Sequence, residues 1–221
     1  MILTAENLIK EFSTPRKVLR ILDGVSFSVS AGESVAITGP SGSGKSSLLG
    51  LLAGLDRPTE GRVLFKGQAL ADMGEDGLSA WRRNCVGFVF QNFELVSSLT
   101  ALENAALPLE ILGTSTRDAA ATAGNALETL GMSSRADHFP NELSGGEQQR
   151  VAIARAYVHQ PEIIFADEPT GSLDEETAES VVKALLQVNE ERKTALLLVT
   201  HNPDLAGRLD RVLTIHGGSV A

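Results

Sequence analysis

The eight residues Gly39-Pro40-Ser41-Gly42-Ser43-Gly44-Lys45-Ser46 constrain this chain more than any other stretch. They fit the pattern G-x4-G-K-[ST], in which glycines let the backbone curl until successive N–H groups point inward and form a nest for an anion. The flanks fit as well. Ser34-Val35-Ala36-Ile37-Thr38 reads as a buried strand entering the loop, and Ser47-Leu48-Leu49-Gly50-Leu51-Leu52-Ala53 as an apolar helix leaving it. A helix so placed aims its positive N-terminal dipole at the anion. Strand, glycine loop and helix together imply an α/β core that binds a nucleoside triphosphate. In that setting Lys45 reaches the β- and γ-phosphates, the Ser46 hydroxyl ligates Mg²⁺, and Ser47 follows in the same phosphate-facing turn.

The size of the chain, 221 residues, allows one large domain or one domain carrying an inserted subdomain. A net charge of −9 gives no global attraction to nucleic acid or anionic lipid, so a protein partner has to hold the chain at any membrane where it works. No apolar run reaches the roughly 18–20 residues that span a bilayer. Met1-Ile2-Leu3-Thr4-Ala5-Glu6 has neither the basic start nor the apolar core of a signal peptide, and the expectation is a cytoplasmic chain. The single Cys85 forms no intramolecular disulfide and reads as a packed small side chain.

Along the chain the first thirty or so residues read as strands, with Leu22, Val25, Phe27 and Val29 alternating around a turn pair, Asp23-Gly24. Gly61–Phe65 and Val86–Phe90 read as further strands, the second ending at Gln91, with a short helix over Glu75–Asn84 between them. The pattern then turns helical: Ala101–Leu112, Thr116–Leu130 and Glu147–Tyr157, punctuated by Pro140 and Gly145-Gly146. After Tyr157 the α/β rhythm returns, with strands over Glu162–Ala166, Ala195–Thr200 and Arg211–Ile215 and a helix over Glu175–Asn189. The expected organisation is a single domain over 1–221. Its core, 1–91 and 158–221, is a mixed sheet flanked by helices with an antiparallel β-subdomain at the N-terminus. An α-helical subdomain, 92–157, is inserted in it.

Enzymes with such a loop need an acid at the end of a neighbouring buried strand to hold Mg²⁺. Ile163-Ile164-Phe165-Ala166-Asp167-Glu168 supplies one: Asp167 serves the metal, and Glu168, next in sequence, is placed to polarise the attacking water as general base.

Leu143-Ser144-Gly145-Gly146-Glu147-Gln148 resembles the signature sequence of the ATP-binding cassette (ABC) ATPases and stands shortly before Asp167, as that family requires. Gln91 resembles the family's Q-loop glutamine, which senses the γ-phosphate and Mg²⁺. Ser172-Leu173-Asp174 resembles its D-loop, and His201 its switch histidine. Phe12 occupies the place of the aromatic that stacks on adenine. The likeness covers essentially the whole chain, with every motif in family order. It implies an ATPase whose cofactors are ATP and Mg²⁺, and a homodimer in which two chains close head to tail around two ATP molecules. Each site then uses one phosphate loop and the opposite chain's Ser144, Gly145 and Gly146, which open the helix from Glu147 as a second anion-binding terminus. His138, His159 and His216 match no motif.

Three stretches narrow the resemblance to the branch that drives lipoprotein release, macrolide and peptide export and the cell-division exporter-like complex. They are Gly87–Phe93, Leu99–Asn104 and Phe165–Gly171. Ser172 stands where that branch often has Asn. The resemblance implies a separate transmembrane permease as partner, peripheral attachment at the cytoplasmic face of the inner membrane through it, and no nucleic acid. Phe93, Leu95, Val96 and Leu99 are the expected permease-docking residues. Two other readings use the same residues: a soluble ABC ATPase without a transporter, or a regulator gated by nucleotide.

Overall fold

The computed structural model describes residues 1–13 and 17–220. In chain order the strands are β1 (Leu3–Ser13), β2 (Val18–Val29), β3 (Ser34–Thr38), β4 (Glu60–Phe65), β5 (Gln68–Ala69), β6 (Val86–Phe90), β7 (Ile163–Asp167), β8 (Ala195–Val199), β9 (Arg211–His216) and β10 (Ser219–Val220). The α-helices are α1 (Lys45–Leu52), α2 (Gly74–Cys85), α3 (Ala101–Ile111), α4 (Thr116–Thr129), α5 (Gly145–Tyr157), α6 (Glu175–Arg192) and α7 (Pro203–Ala206). Among the described residues no helix is long and apolar enough to cross a membrane. The chain divides into two compact units, Met1–Arg82 with the stretch from Ala195 onward, and Arg83–Thr194.

The first unit contains an antiparallel sheet in the order β2-β1-β4-β5. It also contains a second sheet in which β3 lies between β8 and β9, parallel to both, with β10 antiparallel on β9. The fully apolar runs over β3 and β8 are what a strand covered on both faces requires, and Val35, Ala36, Ile37 and Leu196 to Val199 are all completely buried. Leu48, Leu51 and Leu52 of α1 add to that core. The N-terminal strands appear as expected, while Thr14, Pro15 and Arg16 lie outside the described residues.

Asp23-Gly24 is not a turn between strands: β2 runs straight through it. In the β1–β2 register Leu8 faces Val25 and Lys10 faces Leu22, so β2 carries one extra residue there. Gly24, at φ 72, absorbs it as a bulge. The Asp23 N–H donates to the Gly218 carbonyl (2.8 Å), and the Ser219 hydroxyl to the Asp23 carbonyl (3.0 Å). Both residues of the pair therefore serve inter-strand packing.

In the second unit β6 and β7 pair in parallel, Phe90 opposite Asp167. Helix α5 lies close against β6, because at Gly87 any Cβ would run into the Ala156 carbonyl and the Ile164 side chain. Val151 to Ile153, Ile163 to Ala166, Val181 and Leu185 are fully buried there. The α3 N-terminus closes with a capping box between Thr100 and Glu103. Just inside it, fully buried Asn104 accepts from Val96 N–H (2.8 Å) and donates to the carbonyls of Val96, Leu99 and Thr100. Helix α6 runs three residues beyond the expected Asn189 and ends on Lys193 in the left-handed region. No glycine or proline marks that end, so nothing in the sequence announced it.

Candidate active site

The phosphate-type loop occupies the carboxyl end of β3, the end at which parallel sheets bind ligands. Its turns need glycine: Gly42 sits at φ 75 and Gly44 at φ 98. A Cβ on Gly44 would also lie 2.9 Å from Ile21 and 3.0 Å from Leu22, so β2 packs directly on the loop. A Cβ on Gly39 would strike the Ile215 carbonyl. Helix α1 starts at Lys45 with Gly44 as its cap and no acidic residue in its first turn, which leaves its N-terminal field available to an anion. The Lys45 ammonium donates to the carbonyls of Gly39 (2.9 Å) and Pro40 (3.1 Å), folding over the loop. The Ser43 hydroxyl is buried without a hydrogen-bond partner, while Pro40, Ser41 and Ser46 are exposed and Ser47 is half-buried.

His201 follows β8 and Thr200, at the matching end of the strand beside β3. A cleft of about 490 Å³ is lined by Thr38, Gly39, Pro40 and His201, with α7 and Val212 on its other side. The structure thus brings the histidine beside the start of the loop. The next residue, Asn202, fixes this stretch by capping α7 through Asp204 N–H (2.9 Å). Phe12 pairs with Leu19, two residues from the Ile21 that abuts Gly44, and is 45% exposed. Its ring is on the ribbon that walls the loop and is open to a partner.

In the second unit Gln91 and Asp167 emerge from the carboxyl ends of the paired strands β6 and β7. Glu168 follows at φ 46, a left-handed backbone that a non-glycine side chain adopts only under constraint. A tight turn then runs through Gly171, whose N–H donates to the Glu168 carbonyl (3.0 Å). A Cβ on Gly171 would lie 2.8 Å from the Gln91 amide nitrogen, so the turn packs on the glutamine. Asp174 caps α6 by accepting from Thr177 N–H (3.0 Å), and the Thr177 hydroxyl together with that N–H holds its carboxyl below the usual range.

Ser144 caps α5. Its hydroxyl accepts from Glu147 N–H (3.3 Å), and the Glu147 carboxylate accepts in return from Ser144 N–H (2.8 Å) and from Arg135 (2.8 Å). Backbone and guanidinium donors together bring the Glu147 pKa down to about 2. Gly145 and Gly146 form the first turn. Gly146 is buried against Thr177 of α6, where any Cβ would collide with the threonine methyl, so the two helix starts are packed together.

Sequence reasoning did not find Gln149 and Arg155, which lie farther along α5. Gln149 is fully buried and donates to the Phe90 carbonyl (3.3 Å). Arg155 donates to the carbonyls of Phe93 (2.8 Å) and Glu94 (2.5 Å), residues at φ 63 and φ 50. These two side chains hold the segment on either side of Gln91, and Phe93, Leu95 and Leu99 in it are half-buried while Val96 is 40% exposed. Their only sequence signal is that they are long polar residues on the apolar face of a helix. The His159 Nε2–H donates to the Val86 carbonyl (3.1 Å) and His216 is exposed, in keeping with their match to no motif.

The ABC transporter family profile matches residues 22–171. The chain belongs to the ABC transporter family. It is 45% identical over 220 residues to the lipoprotein-releasing system ATP-binding protein LolD of Legionella pneumophila strain Lens, covering 100% of this chain and 97% of that protein. It is equally 45% identical to the uncharacterized ABC transporter ATP-binding protein YbbA of Escherichia coli K12, over 98% of this chain and 97% of the relative. Among solved structures, the dimeric post-hydrolysis state of the cassette MJ0796 bound to ADP and Pi superposes with a TM-score of 0.90 at 39% identity, covering 99% of this chain and 96% of that one. The α/β fold with its antiparallel sheet is that of an ABC ATPase cassette, and like its family the chain binds ATP and hydrolyses it.

Proposed function

We propose that this chain powers a lipoprotein-release-type transporter, closing with a second copy around two Mg-ATP and driving a separate transmembrane permease. The observation that supports this reading is the pair of glycine-bearing helix starts, Gly39–Ser46 at α1 and Ser144–Gly146 at α5, in separate units, each read here as an anion grip. A single triphosphate needs one such loop, so the second serves the ATP of another copy. A two-fold symmetric pair satisfies both at once. In this reading the units act as one ABC ATPase domain, with 1–91 and 158–221 its core and 92–157 its signature-bearing subdomain.

The residues divide the work by their chemistry. Phe12 stacks on adenine. The amides of Gly39 to Ser47 cradle the phosphates, and Lys45 exchanges the Gly39 and Pro40 carbonyls for the β- and γ-phosphate oxygens. Ser46, Gln91 and Asp167 offer a hydroxyl, an amide carbonyl and a carboxylate, a set of hard oxygen donors suited to Mg²⁺ held jointly with a nucleotide. Mg²⁺ held by these residues would supply neutralisation of the triphosphate charge. Glu168 orients the water for in-line attack. Charge on the departing γ-phosphate is met by Lys45, His201 and the partner copy's Ser144 hydroxyl with the amides of Gly145 and Gly146. Glu147 shapes that terminus, and Asp174 holds the loop that faces the partner. The apolar residues Phe93, Leu95, Val96 and Leu99 receive the permease, and through it the chain sits at the cytoplasmic face of the inner membrane.

Replacing Glu168 with Gln removes the base and keeps the grips. Light scattering with sizing is expected to show a monomer without nucleotide and a dimer with Mg-ATP. A variant that stays monomeric at millimolar Mg-ATP would contradict the reading.

A further inference from the structure

Lys10 is a lysine where a lysine is costly: only 9% of it is exposed, on the inner side of the β1–β2 ribbon. Its ammonium has three donors. One bonds Asp56 (2.7 Å) and another the Arg57 carbonyl (2.8 Å), in the segment just after α1. The charge itself lies over the ring of Phe12, 5.1 Å from the centroid. Asp56 is 47% exposed and would pair with a solvated lysine as readily, so ion pairing alone does not account for burial against the ring. Across the ribbon Lys10 faces Leu22, the residue that touches Gly44 of the phosphate loop.

We infer that Lys10 is a positioning residue for the nucleotide base: it occupies one face of Phe12 and presents the other to adenine. This rests on the reading of Phe12 as the base-stacking residue. A cation against one face of an aromatic ring is attracted by its quadrupole and fixes the ring's orientation. It also draws electron density from the opposite face, which favours stacking by an electron-rich purine. With Lys10 buried beneath it, the 45% of Phe12 that remains exposed is the surface left for the base. Glu11, between them, turns elsewhere and accepts from Arg20 (2.8 Å).

The test compares Mg-ATP with Mg-tripolyphosphate, which has the phosphates and no base, by calorimetric titration of the intact chain. Lys10→Met is expected to weaken ATP binding roughly 3- to 10-fold, in line with a partly desolvated cation–π contact, and to leave tripolyphosphate unchanged. Lys10→Arg, which keeps a cation over the ring, restores ATP binding to near the original value. In a Phe12→Leu background Lys10→Met has no further effect. Equal weakening of both ligands, or of neither, would overturn the inference, as would failure of Lys10→Arg to rescue. If Lys10→Met does not fold, Lys10→Gln is measured in its place, with the same outcomes. The underlying reading fails separately: Phe12→Leu would then leave the ratio of ATP to tripolyphosphate affinity unchanged.

Discussion

The Ser172 hydroxyl donates to the main-chain carbonyl of Gln91 at 3.1 Å, tying the turn after β7 to the residue that ends β6. Gly171 completes the tie, since its missing Cβ is the space in which the Gln91 side chain lies. Displacing Gln91 and displacing the turn at Gly171-Ser172 are therefore one event in this chain.

Gly171→Ala separates that event from stability. The added methyl would meet the far end of the Gln91 side chain, which can swing away, so the fold tolerates it. Gln91 then leaves its position. With Gln91 in its proposed place as a Mg²⁺ and γ-phosphate contact, turnover at saturating ATP is expected to fall about 10- to 100-fold. The thermal midpoint should hold to within a few degrees. An unfolded variant, or one with unchanged turnover, would contradict this account.

Gly146→Ala tests the contact between the starts of α5 and α6. Here the methyl of a buried residue would meet the half-buried Thr177 side chain, and overpacking of this kind costs about 1–3 kcal/mol. Denaturant titration should show that loss, and Thr177→Ser, which removes the opposing methyl, should recover part of it.

The Glu147 carboxyl sits near pKa 2 when folded, below the ordinary 4.5. A depressed folded value stabilises the native state above the unfolded pKa, and the contribution disappears as pH falls through the folded one. Capping boxes of this kind typically contribute about 1 kcal/mol at neutral pH. Glu147→Gln should be less stable than the parent at pH 7, with the difference shrinking between about pH 4.5 and 2. A difference independent of pH in denaturant titrations would assign the effect to packing.

Much of this was written in consecutive residues. The runs Val35–Ile37, Ile163–Ala166 and Leu196–Val199 announce strands covered on both faces, and the phosphate loop and the acids Asp167-Glu168 are short local strings whose chemistry follows from their own spacing, whereas Phe12, Gln91, Ser144–Gly146, Asp174 and His201 were legible only through the resemblance to the ABC ATPases. Asp23-Gly24 was misread because the pair that makes a tight turn also makes a bulge, and only the partner strand distinguishes them. Gln149, Arg155 and Lys10 were missed for a related reason. Their partners are the Phe90, Phe93 and Glu94 carbonyls and the Phe12 ring with Asp56, contacts fixed by tertiary packing and invisible to periodicity.

The central claim, that each ATP is held by the phosphate loop of one copy and the signature of the other, is tested most directly by mixing two inactive variants. Lys45→Ala spoils the loop and keeps the signature, and Ser144→Arg does the reverse. Each alone should be nearly inactive. Mixed in equal amounts, half the dimers are mixed pairs with one intact composite site, and ATPase activity should return to about a quarter of the parent's. No recovery from mixtures that do form mixed dimers would contradict the account.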